Sequence, residues 1–168
     1  LNIPILYWAS EETGDESYKN VAYTHFRTTV DVAIREDASH FHTFYFDPET
    51  GAPLKGVTCQ GASDDSAWAR GQTWGIYGPL LTYIYKKDEK AMKIFQATTN
   101  YLLNNLPSDY VAYWDLCYND GADQPRDTST NAIAMCGMLE GIKHMDESDP
   151  LREIYVNAIH RMMDVLID

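Results

Sequence analysis

The sequence predicts an all-α fold built from helix hairpins set in part of a toroid, and three observations lead there. Helices that are apolar all round alternate with helices that keep one polar face, in the order buried, amphipathic, three times over. The amphipathic helices open alike, at Asp15, Asp88 and Asp149, in the stretches TGDESYKNVA, KKDEKAMKIF and MDESDPLREI. From Asp15 to Asp88 and from Asp88 to Asp149 the spacings are 73 and 61 residues, a repeat of helix hairpins with a connection of variable length in each. Interaction solenoids repeat at about 34 residues instead. An inner ring of buried helices wrapped by amphipathic ones fits this pattern, and about three hairpins make only part of a ring.

Residues 1–10 are apolar on all sides and read as the end of a buried helix, closed by a turn at Gly14. The second helix starts at Asp15 and carries Val21, Ala22, His25, Thr29, Val32 and Ala33 at helical spacing. In the 36–65 connection, aromatic and β-branched residues flank Asp47-Pro-Glu-Thr-Gly51, which predicts a small β-hairpin inserted between helices. His40 and His42 fall on its first strand, facing one side. The third helix is expected over about 66–85, capped by Asp64, Asp65 or Ser66. The fourth begins at Asp88 with a stripe of Ala91, Ile94, Phe95, Thr98 and Leu102. A second long connection, 106–127, leads to a fifth, apolar helix over about 128–145. The sixth, opened by Pro150, has a stripe from Leu151 to Leu166.

The chain of 168 residues reads as a single, incomplete domain over 1–168, with 45% hydrophobic and 12% aromatic residues. A formal charge of −12 argues against nucleic acid and anionic membrane as partners. It leaves room for an anionic small ligand if a local cationic cluster exists. No apolar run reaches the length of a membrane span. Cys59, Cys117 and Cys136 are odd in number and widely spaced, so they read as free thiols rather than a disulfide framework. A start inside an apolar run is expected of a fragment, and the missing leader then says nothing about export.

The chemistry concentrates in the third helix and the connection before it. Arg70 interrupts an otherwise uncharged helix and needs an anionic partner, either a ligand or a carboxylate such as Asp65. Trp74 follows at i+4, so a guanidinium and an indole share one face, as suits a flat anionic ring. Gly71, Gly75 and Gly78 on the same helix imply close approach of backbone or ligand. His42 reads as a hydrogen-bond donor into a pocket or as a satisfied loop histidine, and Gln60 as an amide for sugar hydroxyls. Trp68 reads as core. Trp114 and Asp115 either line the same end of the ring or form a buried indole beside a solvated carboxylate. No metal is expected: His40 and His42 lack a third ligand at a suitable spacing, and Asn119-Asp-Gly121 lacks the oxygen ligands of a calcium loop.

Four separated stretches, LNIPILYWASEETGD at the start, His40-Phe-His-Thr43, Arg70-Gly-Gln-Thr-Trp-Gly-Ile-Tyr-Gly78 and Asp127-Thr-Ser-Thr-Asn-Ala-Ile-Ala134, resemble glycoside hydrolase family 88, the unsaturated glucuronyl hydrolases. The resemblance runs the whole length of the chain. It implies an (α/α)6 barrel and a hydrolase for the unsaturated uronic acid that lyases leave on glycosaminoglycan oligosaccharides. Such an enzyme hydrates the C4=C5 double bond: an aspartic acid protonates C4 and activates water for C5, and the hemiketal then falls apart.

Carried over by position, the resemblance implies that His42, Gln60, Arg70 and Trp74 contact substrate, with His42 assisting catalysis. The catalytic Asp of the family sits in a D-x-x-[ML]-N pattern that overlaps Leu1-Asn2 and places it upstream of Leu1, so the fragment alone is expected to be inactive. No cofactor is implied. The expected partners are a small anionic oligosaccharide and either the remainder of the catalytic domain or a second copy to cover the open ring. The compartment stays open between bacterial cytoplasm and periplasm, unpaired cysteines favouring the former. Two alternatives stand beside this: an unsaturated rhamnogalacturonyl hydrolase, which tends to carry Asn where Gln72 stands, and a non-catalytic carbohydrate-binding helical-repeat protein.

Overall fold

The computed structural model describes residues 2–167. It contains six helices and one two-stranded sheet: α1 (Pro4–Thr13), α2 (Glu16–Ala33), β1 (Thr43–Phe46), β2 (Pro53–Val57), α3 (Ala69–Lys86), α4 (Glu89–Asn104), α5 (Thr128–Ile142) and α6 (Pro150–Ile167). Leu1, part of the predicted first helix, lies outside the described residues.

The repeated aspartates start the outer helices by one device. Asp15, Asp88 and Asp149 each accept a hydrogen bond from the backbone N–H two residues on, at 2.8, 2.8 and 2.9 Å. Each thereby satisfies one of the N–H groups that a helix start leaves without a partner. At the far end of α1, Gly14 takes the left-handed conformation (φ 72°) and donates back to the Ser10 carbonyl, which turns the chain into α2.

Consecutive helices pack as hairpins, α1 on α2, α3 on α4 and α5 on α6, while α3 also packs along α5. So α3 and α5 form the inner layer and α4 and α6 cover them. The principal core fills this sandwich: Ile76 and Leu80 from α3, Phe95 and Leu102 from α4, Met138 from α5, Tyr155 and Met162 from α6. Phe95 meets Tyr155 edge to face at 5.8 Å. Each such aromatic contributes on the order of 2–3 kcal/mol by leaving water. The first hairpin joins through fewer contacts, chiefly Tyr7 stacked on Tyr85 at 5.1 Å and the Tyr23 hydroxyl donating to Asp88 at 2.7 Å.

That looser attachment explains the first departure from expectation. α1 is not buried all round: Tyr7 and Ser10 are buried, but Ile5 is 65% and Trp8 53% exposed, because α2 covers one side and α3 touches it only lightly. On α6, Ile154 and Val165 of the predicted stripe are exposed as well.

The second departure is the start of α3, at Ala69 and not near Ser66. The Ala69 N–H donates to the Trp114 carbonyl and the Leu116 N–H to the Ala67 carbonyl. Residues 67–69 are therefore held extended against 114–116, and the helix cannot begin sooner. Asp64 and Asp65 are not its caps. The third is that β1 begins at Thr43: His40 makes a lone bridge with Ile34 and His42 sits in a bend, so neither lies on the strand.

The hairpin itself is antiparallel, with Thr43 opposite Val57 and Phe44 opposite Gly56, and a bulge between Tyr45 and Phe46. Asp47 closes its turn by accepting the N–H groups of Glu49 and Thr50, and Gly51 supplies the positive φ of 71°. Among the described residues no helix is long and apolar enough to cross a membrane.

Close approach governs the glycine-rich helix at Gly75, where an added Cβ comes within 1.3 Å of the His40 ring. Gly75→Ala is expected to destabilise the protein by about 2 kcal/mol or more through overpacking, read as a lowered melting temperature; an unchanged melting temperature contradicts the close fit of His40 on α3.

Candidate functional site

The candidate site is built around Trp68, the residue just before α3. Its ring meets the His42 ring at a centroid distance of 4.5 Å and lies 5.2 Å from the Arg70 guanidinium carbon. A cavity of about 470 Å3 opens here, and His40, His42, Trp68, Gly71, Trp74 and Gly75 are among its walls, facing residues of α2. Trp68 was expected in the core; it is only half-buried and joins the site's cation to its imidazole. The Arg70 guanidinium lies over the Trp68 ring, and Trp74 follows four residues on along α3.

His42 is held by its own loop. Its Nδ1 accepts the backbone N–H of Cys59 at 3.0 Å and that of Gln60 at 3.2 Å. A ring nitrogen that accepts two N–H groups carries no proton, so the tautomer that fits has its hydrogen on Nε2. Partial burial acts the same way, lowering the pKa of His42 and favouring the neutral ring. His42 is thus a neutral N–H donor. Gln60 is exposed on the loop whose backbone grips His42.

Arg70 faces Asp127, with Nη2 3.2 Å from Oδ2. This carboxylate, and not Asp65, is the partner the sequence demanded. Asp127 is also the N-cap of α5, its other oxygen accepting the N–H of Ser129 and of Thr130. The pair is charge-to-charge without hydrogen-bond alignment: Arg70 Nε and Asp127 Oδ2 are both closed to solvent and neither has a hydrogen-bond partner. With the Arg70 side chain 43% exposed, its remaining donors stay open to a ligand.

Two further groups frame the site, and of these Arg35 was not singled out by sequence reasoning. Asp115, read as lining the end of the ring or as a solvated carboxylate, is fully buried, while Trp114 is half-buried with Nε1 donating to Gln124. Asp115 Oδ2 accepts from the Ala62 N–H at 2.8 Å and the Ser66 hydroxyl at 2.7 Å, and Oδ1 from the Cys117 N–H. Arg35 stacks over Phe41 at 4.0 Å and donates to the carbonyls of His40, Asp64 and Ser66. The apolar neighbours of Asp115 in sequence were a signal of its burial. Arg35 gave none.

Gln72, at 1% exposure, lies behind the site: its amide donates to the carbonyls of Ala38 and Thr98 at 2.9 and 3.2 Å. Among the described residues no three His, Cys, Asp or Glu side chains gather as a metal-binding group.

The class so defined is an α/α toroid with an indole-lined cavity on an inner helix and a guanidinium beside it. Within it the chain belongs to one family, since the Glycosyl Hydrolase Family 88 model matches residues 1–168. The unsaturated chondroitin disaccharide hydrolase of Streptococcus pneumoniae is 56% identical over 168 residues, covering 100% of this chain and 42% of that protein. The unsaturated glucuronyl hydrolase of Bacillus sp. (strain GL1) is 40% identical over 168 residues, covering 100% of this chain and 45% of that protein.

Among solved structures, the unsaturated glucuronyl hydrolase of Streptococcus agalactiae superimposes with a TM-score of 0.95 at 54% identity, covering 99% of this chain and 42% of that one. A mutant of that enzyme has been crystallised with dGlcA-GalNAc6S. The three hairpins are accordingly part of an (α/α)6 toroid. The chain spans about two fifths of the length of the relatives it matches.

His40 makes the site sensitive to acid. Burial pulls its pKa down to about 4, with the Arg35 guanidinium adding to the fall and the Gly71 carbonyl opposing it. Below the ordinary histidine pKa of about 6.5 the unfolded chain takes up a proton that the folded chain refuses. The stability due to neutral His40 is therefore intact above pH 6.5, declines as pH falls, and is gone by about pH 4, a loss of about 3 kcal/mol. Urea midpoints measured across this range should fall less steeply for His40→Gln than for the native residue; identical slopes contradict the assignment.

Proposed function

We propose that the chain supplies one substrate-binding wall of a hydrolase for oligosaccharides ending in an unsaturated uronic acid, the products of polysaccharide lyases, and that the reaction is hydration of the C4=C5 bond. The observation that carries this reading is the contiguity of His42, Trp68 and Arg70, where His42 and Trp68 line a cavity together with Trp74. The family membership and the sugar disaccharide bound to the Streptococcus agalactiae enzyme support it.

The roles follow from the chemistry of each group. Arg70 offers charge-assisted donors to the uronate carboxylate. The neutral His42 donates from Nε2 to an oxygen of the reacting sugar, and Trp74 offers an indole face to a ring. Gln60 reaches hydroxyls from the loop. Neither Asp115 nor Asp127 is available as the proton donor, because one accepts three hydrogen bonds and the other caps α5 beside Arg70. By the family resemblance the acid is the Asp of the D-x-x-[ML]-N pattern, upstream of Leu1, and the 168-residue chain alone is inactive. Residues 1–168 form one incomplete domain, and the exposed apolar side chains Ile5, Trp8 and Ile154 pack against the remainder of the same toroid.

In the full-length protein, turnover of a lyase-derived disaccharide is followed as the loss of ultraviolet absorbance of the conjugated uronate. Arg70→Ala should lower kcat/KM by about a hundredfold, as loss of a charge partner for the uronate does, with a smaller effect on melting temperature, because the guanidinium is 43% exposed and makes no hydrogen bond to Asp127 Oδ2. Unchanged kcat/KM, or a collapse in melting temperature that accounts for the loss, contradicts the carboxylate-binding role.

A further inference from the structure

Two long connections, 34–68 and 105–127, meet beside the site, and next to the backbone pairing of 67–69 with 114–116 they are joined by one buried side chain. Asp115 reaches from the second connection to accept the Ala62 N–H and the Ser66 hydroxyl of the first. Its other oxygen accepts the Cys117 N–H, which fixes the carboxylate in its own turn. A carboxylate with no exposed surface is costly to bury unless its oxygens are filled with donors, and here they are. The fit is close on the loop side too: a Cβ on Gly61 would stand 3.0 Å from Asp115 Oδ2 and 2.6 Å from Thr58 Oγ1.

The segment so held, residues 58–66, is the one that grips His42. The Gly61 N–H donates to Thr58 Oγ1 at 2.7 Å, and the Thr58 N–H to Asp64 Oδ1 at 2.7 Å. These bonds fold the loop so that the N–H groups of Cys59 and Gln60 converge on His42 Nδ1. Arg35 holds the same segment from the opposite side by the carbonyls of Asp64 and Ser66. A continuous chain of hydrogen bonds thus runs from Asp115 through the loop to the imidazole.

We infer that Asp115 is a positioning residue: through the 58–66 loop it places Gln60 and fixes His42 as the tautomer that presents Nε2–H to the substrate. It touches no substrate itself. Asparagine cannot replace it. Both carboxylate oxygens accept N–H or O–H donors, so an amide NH2 group at either position confronts a donor with a donor. Releasing the loop removes the two N–H groups from His42 Nδ1, and the ring is then free to carry its proton on either nitrogen.

The functional half of this inference rests on the proposed hydrolysis; the structural half does not, and the test separates them. The full-length protein with 15N-labelled histidine is studied by NMR at a pH where His42 is neutral, with His160, exposed on α6, as the internal control. In the native protein His42 should show one protonated nitrogen, Nε2, and one unprotonated nitrogen, Nδ1. In Asp115→Asn the two signals should move towards each other as the tautomers mix, with His160 unchanged, and kcat/KM should fall between about tenfold and a hundredfold, the range for a reacting group misplaced by about an ångström.

Ser66→Ala removes one of the two loop donors to Asp115 and leaves the Ala62 bond, so it should change both readouts in the same direction by less, and it carries the test if the asparagine variant does not fold. An unaltered His42 tautomer in a folded variant overturns the inference, as does lost turnover with the tautomer intact. If the native protein turns over no unsaturated uronide while the tautomer still shifts, the proposed function fails and the positioning stands.

Discussion

Trp68 marks the constraint on which the rest of the site depends: residues 67–69 are paired in extended form with 114–116 before the chain is allowed to coil into α3. That short antiparallel contact joins sequence positions nearly fifty apart, and it sets the phase of the helix. A helix begun three residues earlier would rotate Arg70 and Trp74 about its axis, because each residue turns an α-helix by about 100°. The late start puts Arg70 against the Trp68 ring and opposite Asp127, and it leaves Trp74 and the Gly71–Gly75 surface facing the cavity. The buried Asp115 carboxylate sits within the same contact, so phase of the helix and shape of the loop are fixed together.

Electrostatics then favour a particular kind of ligand. The chain is strongly acidic overall, at −12, yet the charge offered at the groove is a guanidinium whose carboxylate partner is already engaged as a helix cap. Long-range attraction for anions is weak on such a surface, and recognition must come from short-range contacts in a partly dry pocket, where a charge-assisted hydrogen bond counts for more than it does in water. His42 contributes no charge because its loop and its burial both favour the neutral ring. In the proposed function this divides the labour: Arg70 meets the formal charge, and His42 meets a neutral or developing oxygen.

Much of the architecture was legible because it is written in local signals. Asp15, Asp88 and Asp149 announce three outer helices through capping, a short-range effect that needs no tertiary information. Asp47-Pro-Glu-Thr-Gly51 announces its turn in the same way. The misreadings share an opposite cause. Ser66 looks like a cap, but its hydroxyl is claimed by Asp115, forty-nine positions away. Trp68, expected in the core, is half-buried, and Asp115 is fully buried, because burial there is decided by how the two long connections cross. Apolar character made α1 read as buried, whereas Ile5 and Trp8 face outward for lack of a neighbour within the described residues. At the site, Arg70 declared itself as a cation in an uncharged helix, while Arg35, which binds three carbonyls of the loop structure, sits in a polar stretch where an arginine attracts no notice.

The central claim is that this chain presents Arg70, His42 and Trp74 to an unsaturated uronate. A crystal structure of the full-length protein, rendered inactive and soaked with a lyase-derived unsaturated disaccharide, tests it most directly. The account predicts the uronate carboxylate within hydrogen-bond distance of Arg70, His42 Nε2 directed at an oxygen of the same sugar, and a ring against the Trp74 indole. A disaccharide bound with its carboxylate on other side chains, leaving Arg70 paired with Asp127 alone, contradicts it.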